Sequence, residues 1–345
     1  MINNITEICE KMQESLVEYF WSEKEGTFVN HYPVRKTENW IYWWHAHSLD
    51  SLLDGYNRTK DEKYLNRIRK EYNGTFVKNG NTFLHNWYDD MEWMALAQLR
   101  LYDATGVLTY KEQTLALWED IKTAWNDSMG GGMAWKKDQL DYKNTPANAP
   151  AAILAFRLYQ RFGREEDLKW GEKILHWNME NLMDTETGFV WDGVNRQGDK
   201  KIDYAWKFTY NQGVVIGALV ELYKINHSAD CIKQAGKIAK VTKALLADTN
   251  KGILPYEGED DCGLFKGILV RYLYELLLVN TELDEIKDMI LLNARCVIEN
   301  GINEKGLIGG DWTVKETKCV DLAQHLSGIM LLETAAKLLE KDGGH

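Results

Sequence analysis

The segment Leu101-Tyr102-Asp103-Ala104-Thr105-Gly106 closes a long apolar stretch with a Leu-Tyr pair and then a polar turn. Similar Leu-Tyr or Gly-Tyr pairs, each followed by a polar turn, occur in residues 55–59, 158–163 and 222–226. Their tyrosines lie 46, 57 and 64 positions apart, counted from Tyr56 to Tyr102 to Tyr159 to Tyr223. Recurrence at this spacing is typical of an array of repeated helical units.

A second kind of connection, longer and rich in glycine and aromatic residues, falls between these turns. It occurs at residues 26–32, 130–135, 188–191, 252–256 and 306–312. Short and long connections therefore alternate, and they separate about twelve apolar segments into six hairpins. This pattern predicts an all-α fold, an (α/α)6 barrel of six helical hairpins, and a single domain over residues 1–345.

Six inner helices are expected, because every second segment of such a barrel faces its axis. One of them should follow the long connection that ends near Asp89. The others should begin near Trp40, Thr145, Thr209, Phe265 and Val320. The long connections then share one end of the barrel, and we expect the functional site there because loops on a rigid scaffold carry most sites.

Composition narrows the possible partners. Lys and Arg number 41 against 52 Asp and Glu, and the resulting net charge of −11 disfavours nucleic acid or an anionic membrane surface as a partner. Residues 1–12 have no apolar signal core, so we expect a cytoplasmic protein. Five scattered cysteines without CxxC spacing favour free thiols over disulfides or zinc. The oligomeric state stays open.

Two adjacent carboxylates stand among aromatic residues in Trp87-Tyr88-Asp89-Asp90-Met91-Glu92-Trp93. They precede an apolar helical segment, and a helix N-terminus favours negative charge. Because two such close charges are costly, one carboxyl group is expected to stay protonated near neutral pH, as glycosidase chemistry requires. Adjacency favours retention of anomeric configuration. A purely structural alternative is a helix cap formed by Asp89 and Glu92.

The stretch Trp87 to Ala97 resembles the paired-aspartate motif of glycoside hydrolase family 76, the endo-α-1,6-mannanases. Three further stretches are similar in order and spacing, and they begin at Asn148, Phe208 and Phe265. The resemblance implies an (α/α)6 barrel that cleaves α-1,6-mannosidic bonds of mannan or of imported manno-oligosaccharides with retention, without cofactor. It also implies that Asp89 is the nucleophile and Asp90 the general acid/base. Glu92 and Met94 differ from the small and aromatic residues typical of the family.

The candidate sugar-binding residues come from the same motifs and from the predicted long-connection end. Tyr210, Asn211 and Gln212 stand at the start of a predicted inner helix, where polar tips can face a cleft, although capping by Thr209 explains the pattern equally well. Flat aromatic faces suit sugar rings. The full set of predicted substrate-binding residues is Trp44, Trp87, Tyr88, Asn148, Tyr210, Asn211, Gln212, Phe265 and Lys266.

Two other functions remain open at this point. A sugar isomerase or epimerase of the N-acylglucosamine epimerase type also uses six helical hairpins, and it would need cleft histidines such as His45 and His325. A carbohydrate-binding barrel without catalysis is the non-enzyme alternative. No metal site is predicted, because His45 and His47 point to different faces of one helix.

Overall fold

The computed structural model describes residues 4–35, 39–249 and 251–343. Within these residues the chain forms twelve α-helices that account for most of the structure. They are α1 (Ile5–Phe20), α2 (Tyr42–Thr59), α3 (Glu62–Lys78), α4 (Tyr88–Thr105), α5 (Leu108–Ile121), α6 (Thr145–Phe162), α7 (Glu165–Leu182), α8 (Thr209–Asn226), α9 (Ala229–Leu246), α10 (Phe265–Val279), α11 (Asp284–Cys296) and α12 (Leu322–Gly343).

Short strands occur only in the long connections of the described chain. They are β1 (Trp21–Ser22), β2 (Thr27–Phe28), β3 (His31–Tyr32), β4 (Ala134–Lys136), β5 (Gln139–Asn144), β6 (Gly193–Val194) and β7 (Val320–Asp321). All pairings are antiparallel: β1 with β2, β3 with β7, and β4, β5 and β6 in one three-stranded sheet.

The recurring Tyr-turn pattern is the C-terminal cap of four helices. In α2, α4, α6 and α8 the residue after the helix adopts a left-handed conformation, and it is Lys60, Gly106, Gly163 and His227 respectively. Its backbone N–H donates in each case to the carbonyl oxygen of the motif tyrosine, over 2.7 to 2.8 Å. This bond satisfies a carbonyl that the helix end would otherwise leave unpaired.

Connections of two to four residues join α2 to α3, α4 to α5, α6 to α7, α8 to α9 and α10 to α11. Helices α1 and α12, from the two ends of the chain, pack against each other and form the sixth pair. Long connections separate these pairs, so the predicted alternation and the six hairpins are confirmed. The expected inner helices also begin where predicted, within two residues.

The helices pack into two compact units. The first comprises Met1–Thr82, Ala247–Tyr274 and Asp284–His345. In it α12 packs against α1, α2 and α11, and α2 packs against α3. From Tyr42 to Gly55 every side chain of α2 is buried, so this helix forms the centre of its unit.

The second unit comprises Phe83–Leu246 and Glu275–Leu283. Here α4 packs on α5, α6 on α7 and α8 on α9, while α6 also contacts both α4 and α8. Helix α8 is buried at every position from Thr209 to Glu221, and α6 from Thr145 to Leu158. A helix that is buried on all sides must be enclosed by neighbouring helices. Helices α6 and α8 are therefore inner helices.

The single-domain assignment stays a prediction. Among the described residues, none of the helices combines the length and the apolar character of a membrane span.

Candidate active site

The Asp89-Asp90 pair lies in the first turn of α4, as the sequence predicts. The helix begins at Tyr88, and its N-cap residue is Trp87, whose side chain makes no capping hydrogen bond. Both aspartates are half-buried. The capping alternative is therefore wrong for this helix, because neither Asp89 nor Glu92 occupies the role of a capping side chain.

Two N–H groups donate to the carboxylate of Asp89. The indole Nε1 of Trp135 lies 3.0 Å from Asp89 Oδ2, and the backbone N of Asp90 lies 3.1 Å from Asp89 Oδ1. Strand β4 supplies Trp135, and this strand is held beside the helix start by the bridge between Trp87 and Lys136. Hydrogen bonds of this kind favour the charged form of a carboxyl group, so Asp89 is placed to act as an anion.

Asp90 has a different neighbour. His85 Nδ1 lies 3.1 Å from Asp90 Oδ2, and the imidazole is tilted against the Trp87 ring at 5.1 Å between centroids. Burial and, secondarily, the positive charge of Lys137 lower the pKa of His85 to about 4. The imidazole is therefore neutral at pH 7, and it does not confront Asp90 with a full positive charge.

Glu92 is a third carboxyl group on α4, three residues after Asp89 and thus on the same helix face. Its side chain is fully buried, and within the described part of the chain no group meets hydrogen-bond geometry with either carboxyl oxygen. Burial first, and then the charges of Asp89 and Asp90, raise its pKa well above the ordinary value. A neutral carboxylic acid therefore lies beneath the aspartate pair.

A second polar cluster centres on Asp192, which precedes β6. Its carboxylate accepts hydrogen bonds from Tyr142 Oη at 3.1 Å, Asn211 Nδ2 at 3.0 Å and Tyr210 Oη at 3.4 Å. Burial raises the pKa of Asp192 to about 6, and the three donors oppose that shift. Asp192 thus ties the start of α8 to the β-sheet of the second unit.

Tyr142 joins this cluster to the aspartate pair. Its ring packs edge-on against Trp135, with 5.7 Å between the ring centroids, and Trp135 in turn donates to Asp89. A continuous set of contacts therefore runs from Asp89 to Asn211. The expectation that these two residues share one end of the hairpins agrees with this arrangement.

Asn148 and Gln212 are fully buried, and their amides bond backbone groups. Asn148 Oδ1 accepts from Met133 N at 2.8 Å while its Nδ2 donates to Met133 O at 3.2 Å. Gln212 makes the same pair of bonds with Val190, at 2.9 and 2.6 Å. The structure gives both amides a role in fixing long connections, and direct sugar binding by them stays a prediction.

Trp44, Phe265 and Lys266 belong to the first unit, where all three are buried. Trp44 Nε1 donates to Asp261 Oδ1 at 3.1 Å. Lys266 Nζ donates to Gly310 O at 2.6 Å and lies 4.1 Å from the centroid of the Trp312 ring. Burial lowers the pKa of Lys266 to about 8. These contacts hold loops in place, and a sugar-binding role for the three residues stays a prediction.

Trp87 and Tyr88 flank the pair in the second unit. Trp87 is half-buried, and the Lys136 ammonium lies 5.9 Å from its ring centroid. Tyr88 is buried, with its hydroxyl 3.1 Å from Thr123 Oγ1. Of these two rings, Trp87 is the one that retains access for a sugar.

The histidines that an epimerase would require are not in a cleft. His45 is fully buried with Nδ1 2.7 Å from Glu71 Oε1, and His325 is fully buried with Nδ1 accepting from Ile308 N at 3.2 Å. Burial also lowers the pKa of His325 to about 4. Both side chains serve the packing of the first unit, which removes the basis for the epimerase alternative.

Within the described residues, one group offers three possible metal ligands within 4.8 Å of one another, and it consists of His31, Asp260 and Asp321. Arg35 also lies 3.6 Å from Asp321 Oδ1, and a cation in that position disfavours a bound metal ion. The absence of a metal from the reaction stays a prediction.

Sequence reasoning missed His85, Tyr142 and Asp192 as members of the site. Only the short distance of His85 from the pair along the chain could have indicated a role. Tyr142 and Asp192 are 50 positions apart, and their contact depends on the pairing of β5 with β6. Trp135 lies at the end of the long connection at residues 130–135, and its hydrogen bond to Asp89 is what makes it a member of the site.

An all-helical scaffold of paired helices with two adjacent aspartates at an inner-helix start defines the class of six-hairpin glycoside hydrolases. Residues 4–341 match the family model described as glycosyl hydrolase family 76. The chain belongs to this family, and the predicted fold class, the (α/α)6 barrel, is confirmed.

Solved structures agree over almost the entire chain. The GH76A alpha-1,6-mannanase from Salegentibacter sp. HEL1_6 is 41% identical, with a TM-score of 0.92 over 97% of this chain and 99% of that one. An inactive variant of that enzyme, with two consecutive aspartates replaced by alanine, was solved in complex with alpha-1,6-mannotetrose. The Lin0763 protein from Listeria innocua is 40% identical, with a TM-score of 0.93 and 98% coverage of both chains.

Curated relatives match over shorter stretches. Mannan endo-1,6-alpha-mannosidase DCW1 of Saccharomyces cerevisiae is 33% identical over 122 residues, which cover 33% of this chain and 27% of the relative. The DCW1 protein of Candida glabrata is 23% identical over 62% of this chain and 51% of the relative. The chain thus spans about half, or less, of the length of these two relatives.

Proposed function

We propose that this protein is a retaining glycoside hydrolase that cleaves α-1,6-mannosidic linkages in the interior of mannan chains or in manno-oligosaccharides. The observation that carries the proposal is the unequal environment of the two adjacent aspartates. Asp89 receives hydrogen bonds from the N–H groups of Trp135 and Asp90, whereas a neutral imidazole, that of His85, lies 3.1 Å from Asp90. Family membership and the mannanase with bound mannotetrose support the same assignment.

In the first step Asp89 attacks the anomeric carbon, and the bond from that carbon to the leaving oxygen breaks as Asp90 gives that oxygen a proton. The product is a mannosyl ester of Asp89 and a shortened chain. In the second step Asp90, now ionised, removes a proton from water, and the water oxygen displaces Asp89. Two inversions at one carbon give net retention.

His85 and Trp135 would orient the two carboxyl groups. Trp135 Nε1 donates to Asp89 Oδ2, and His85 Nδ1 lies 3.1 Å from Asp90 Oδ2. Neighbours at these distances limit how far each carboxyl group can turn, and small errors in position are costly in such reactions. Glu92 stays neutral beneath the pair, so it adds no further negative charge to a site that already holds two carboxyl groups.

Product analysis tests the proposal. Purified protein is incubated with α-1,6-, α-1,3- and α-1,2-linked mannosides and with α-1,6-glucosides, and the products are separated by chromatography. Cleavage of the α-1,6-mannosides alone is the expected result. Turnover of none of them would contradict the proposal and would favour the carbohydrate-binding alternative, provided that binding persists.

Proton NMR during the first minutes of turnover decides the stereochemistry. The α-anomer of the new reducing end is expected to appear first. Early appearance of the β-anomer would exclude the double displacement. The cytoplasmic location and the use of imported oligosaccharides stay predictions, which fractionation of the producing cells checks.

A further inference from the structure

The loop from Gly198 to Phe208, between β6 and α8, exposes two large aromatic rings. Tyr204 is 58% exposed and Trp206 is 36% exposed. In the described part of the chain, Tyr256 is the only other aromatic side chain in this exposure class. Two such rings two residues apart form a patch that the packing of the fold does not explain.

The backbone of this loop is firmly held. Asp203 N donates to Gly193 O at 2.9 Å, Tyr204 N to Ile202 O at 2.9 Å, and Trp206 N to Asp203 O at 3.0 Å. These bonds form a tight turn against β6. The loop therefore presents its two rings from a fixed backbone, although it lies at the surface.

The rings themselves are also supported from beneath. The Arg196 guanidinium lies 3.7 Å from the centroid of the Trp206 ring, and Arg196 Nε donates to Asp203 Oδ1 at 3.2 Å. The Tyr204 ring packs edge-on against Trp191 at 4.9 Å. Rings that are already immobilised lose little conformational entropy when a ligand covers them.

The patch is continuous with the candidate active site. Trp191 is followed directly by Asp192, whose carboxylate binds Tyr142, and the ring of Tyr142 contacts Trp135 beside Asp89. On the other side, Trp206 contacts Phe208 at 5.7 Å and Phe208 contacts Tyr210 at 6.1 Å. Ring contacts thus lead from the exposed turn to the start of α8. From there the carboxylate of Asp192, which accepts from Tyr210 and Tyr142, completes the connection to the aspartate pair.

The chemistry of the patch fits a neutral sugar better than an ion. Arg196, the cation that lies against the Trp206 ring, already pairs with Asp203, so its charge is compensated. Aromatic faces attract the C–H surfaces of pyranose rings, while the Tyr204 hydroxyl and the indole N–H can bond to sugar hydroxyls. An extended chain of identical sugars can contact such a patch while another of its residues lies at Asp89.

We propose that Tyr204 and Trp206 form a remote saccharide subsite, which binds a mannosyl unit of an α-1,6-linked chain away from the bond that is cleaved. This inference rests on the proposed function, and it adds that the enzyme cleaves long chains more efficiently than short ones. A short oligosaccharide that cannot reach the patch gains nothing from it.

The test compares long and short substrates with the Tyr204→Ala/Trp206→Ala double variant. Because two stacking contacts are lost, kcat/KM on linear α-1,6-mannan should fall by about 10- to 100-fold, mainly through a higher KM. The value on α-1,6-mannotriose should stay within about twofold of the wild type.

Tyr223→Ala is the matched control, since Tyr223 lies 13 residues after Tyr210, about 20 Å along α8. It should behave as the wild type on both substrates. Circular dichroism and the melting temperature confirm that each variant folds. Equal losses on both substrates, or no loss on the polymer, would overturn the subsite.

Failure of the proposed function gives a different result, because the wild type would then cleave neither substrate. In that case affinity electrophoresis in gels that contain the same mannan still tests the patch. Retardation of the wild type but not of the double variant supports the subsite. Equal mobility of the two proteins contradicts it.

Discussion

The chain contains two Asp-Asp pairs near the starts of apolar helices, and they have different surroundings. Asp89-Asp90 lies in the first turn of α4, and Asp260-Asp261 precedes α10. In the first pair both residues belong to the first turn of an 18-residue helix and are half-buried. In the second pair both residues are exposed in a 3₁₀ segment, and Asp260 has a left-handed φ of 54°.

The carboxylates of the second pair also serve separate partners. Trp43 and Trp44 both donate their indole N–H to Asp261 Oδ1, whereas Asp260 lies beside His31 and Asp321. The comparison shows that the dipeptide alone has little meaning. The first pair is distinguished by its place in the first turn of a long α-helix, where both carboxyl groups are half-buried and the helix N-terminus favours negative charge.

The largest expected effect separates the two pairs directly. Asp90→Ala should lower kcat/KM on a natural α-1,6-mannobiose by about 10²- to 10⁴-fold through loss of general acid help. The glycosylation step on an activated aryl mannoside should be spared, because its leaving group needs little protonation. Asp89→Ala should remove activity on both substrates.

Asp261→Ala is the control from the other pair. In the Asp261→Ala variant, the activity on the natural substrate divided by the activity on the activated substrate should equal the wild-type ratio. A fluorinated mannosyl donor should label Asp89 in mass spectrometry of the wild type. A label on Asp90 would reverse the two roles.

Replacing the indole N–H groups that donate to each aspartate pair should separate the two pairs by a smaller effect. Trp135→Phe removes the N–H that donates to Asp89, and a hydrogen bond to a charged group is worth roughly 1.5–3 kcal/mol. Because this bond holds the attacking carboxylate in place, kcat should fall by about 10- to 100-fold. Trp43→Phe removes one of the two donors to Asp261 and should lower the melting temperature while kcat is unchanged. Equal effects on kcat would contradict the assignment.

We expect replacement of Asp192 to change stability, because its buried carboxylate accepts hydrogen bonds from three other side chains. Asp192→Ala leaves Tyr142, Tyr210 and Asn211 without an acceptor, and the free energy of unfolding should fall by roughly 1–3 kcal/mol or more. Urea unfolding followed by fluorescence measures the change. Undiminished stability would show that water replaces the carboxylate.

Glu92→Gln gives a smaller, pH-dependent effect. The folded protein keeps Glu92 protonated where the unfolded chain releases the proton, so its contribution to stability declines as pH rises above the ordinary glutamate pKa. The glutamine side chain cannot ionise. The melting temperature of the variant minus that of the wild type should therefore increase as the pH rises above about 4.5. Parallel curves over the whole pH range would mean that Glu92 ionises normally.

The smallest expected effect is that of a chelator. EDTA should leave the rate on α-1,6-mannan unchanged, and so should His31→Ala, which alters the group formed by His31, Asp260 and Asp321. Loss of activity in EDTA with recovery on addition of calcium or zinc would give the second pair a metal-binding role.

The features that local sequence patterns predict, namely helix starts and helix ends, agree well with the structure. The starts of α4, α6, α8 and α10 follow from apolar periodicity, and the repeated Tyr-turn pattern corresponds to left-handed caps within a few residues of the tyrosine. The roles of aromatic residues were harder to predict. Trp44 and Trp87 look alike as candidates, yet one is fully buried and the other is half-buried.

The sequence by itself determined the all-α class, the six hairpins and the aspartate pair, because helix periodicity, caps and adjacent charges act over one or two helical turns. Only the tertiary structure decided which groups surround that pair. Trp135 bonds Asp89 across 46 positions, and Tyr142 bonds Asp192 across 50. Such contacts depend on how β4, β5 and β6 pair at the ends of the helices, and no local pattern specifies that pairing.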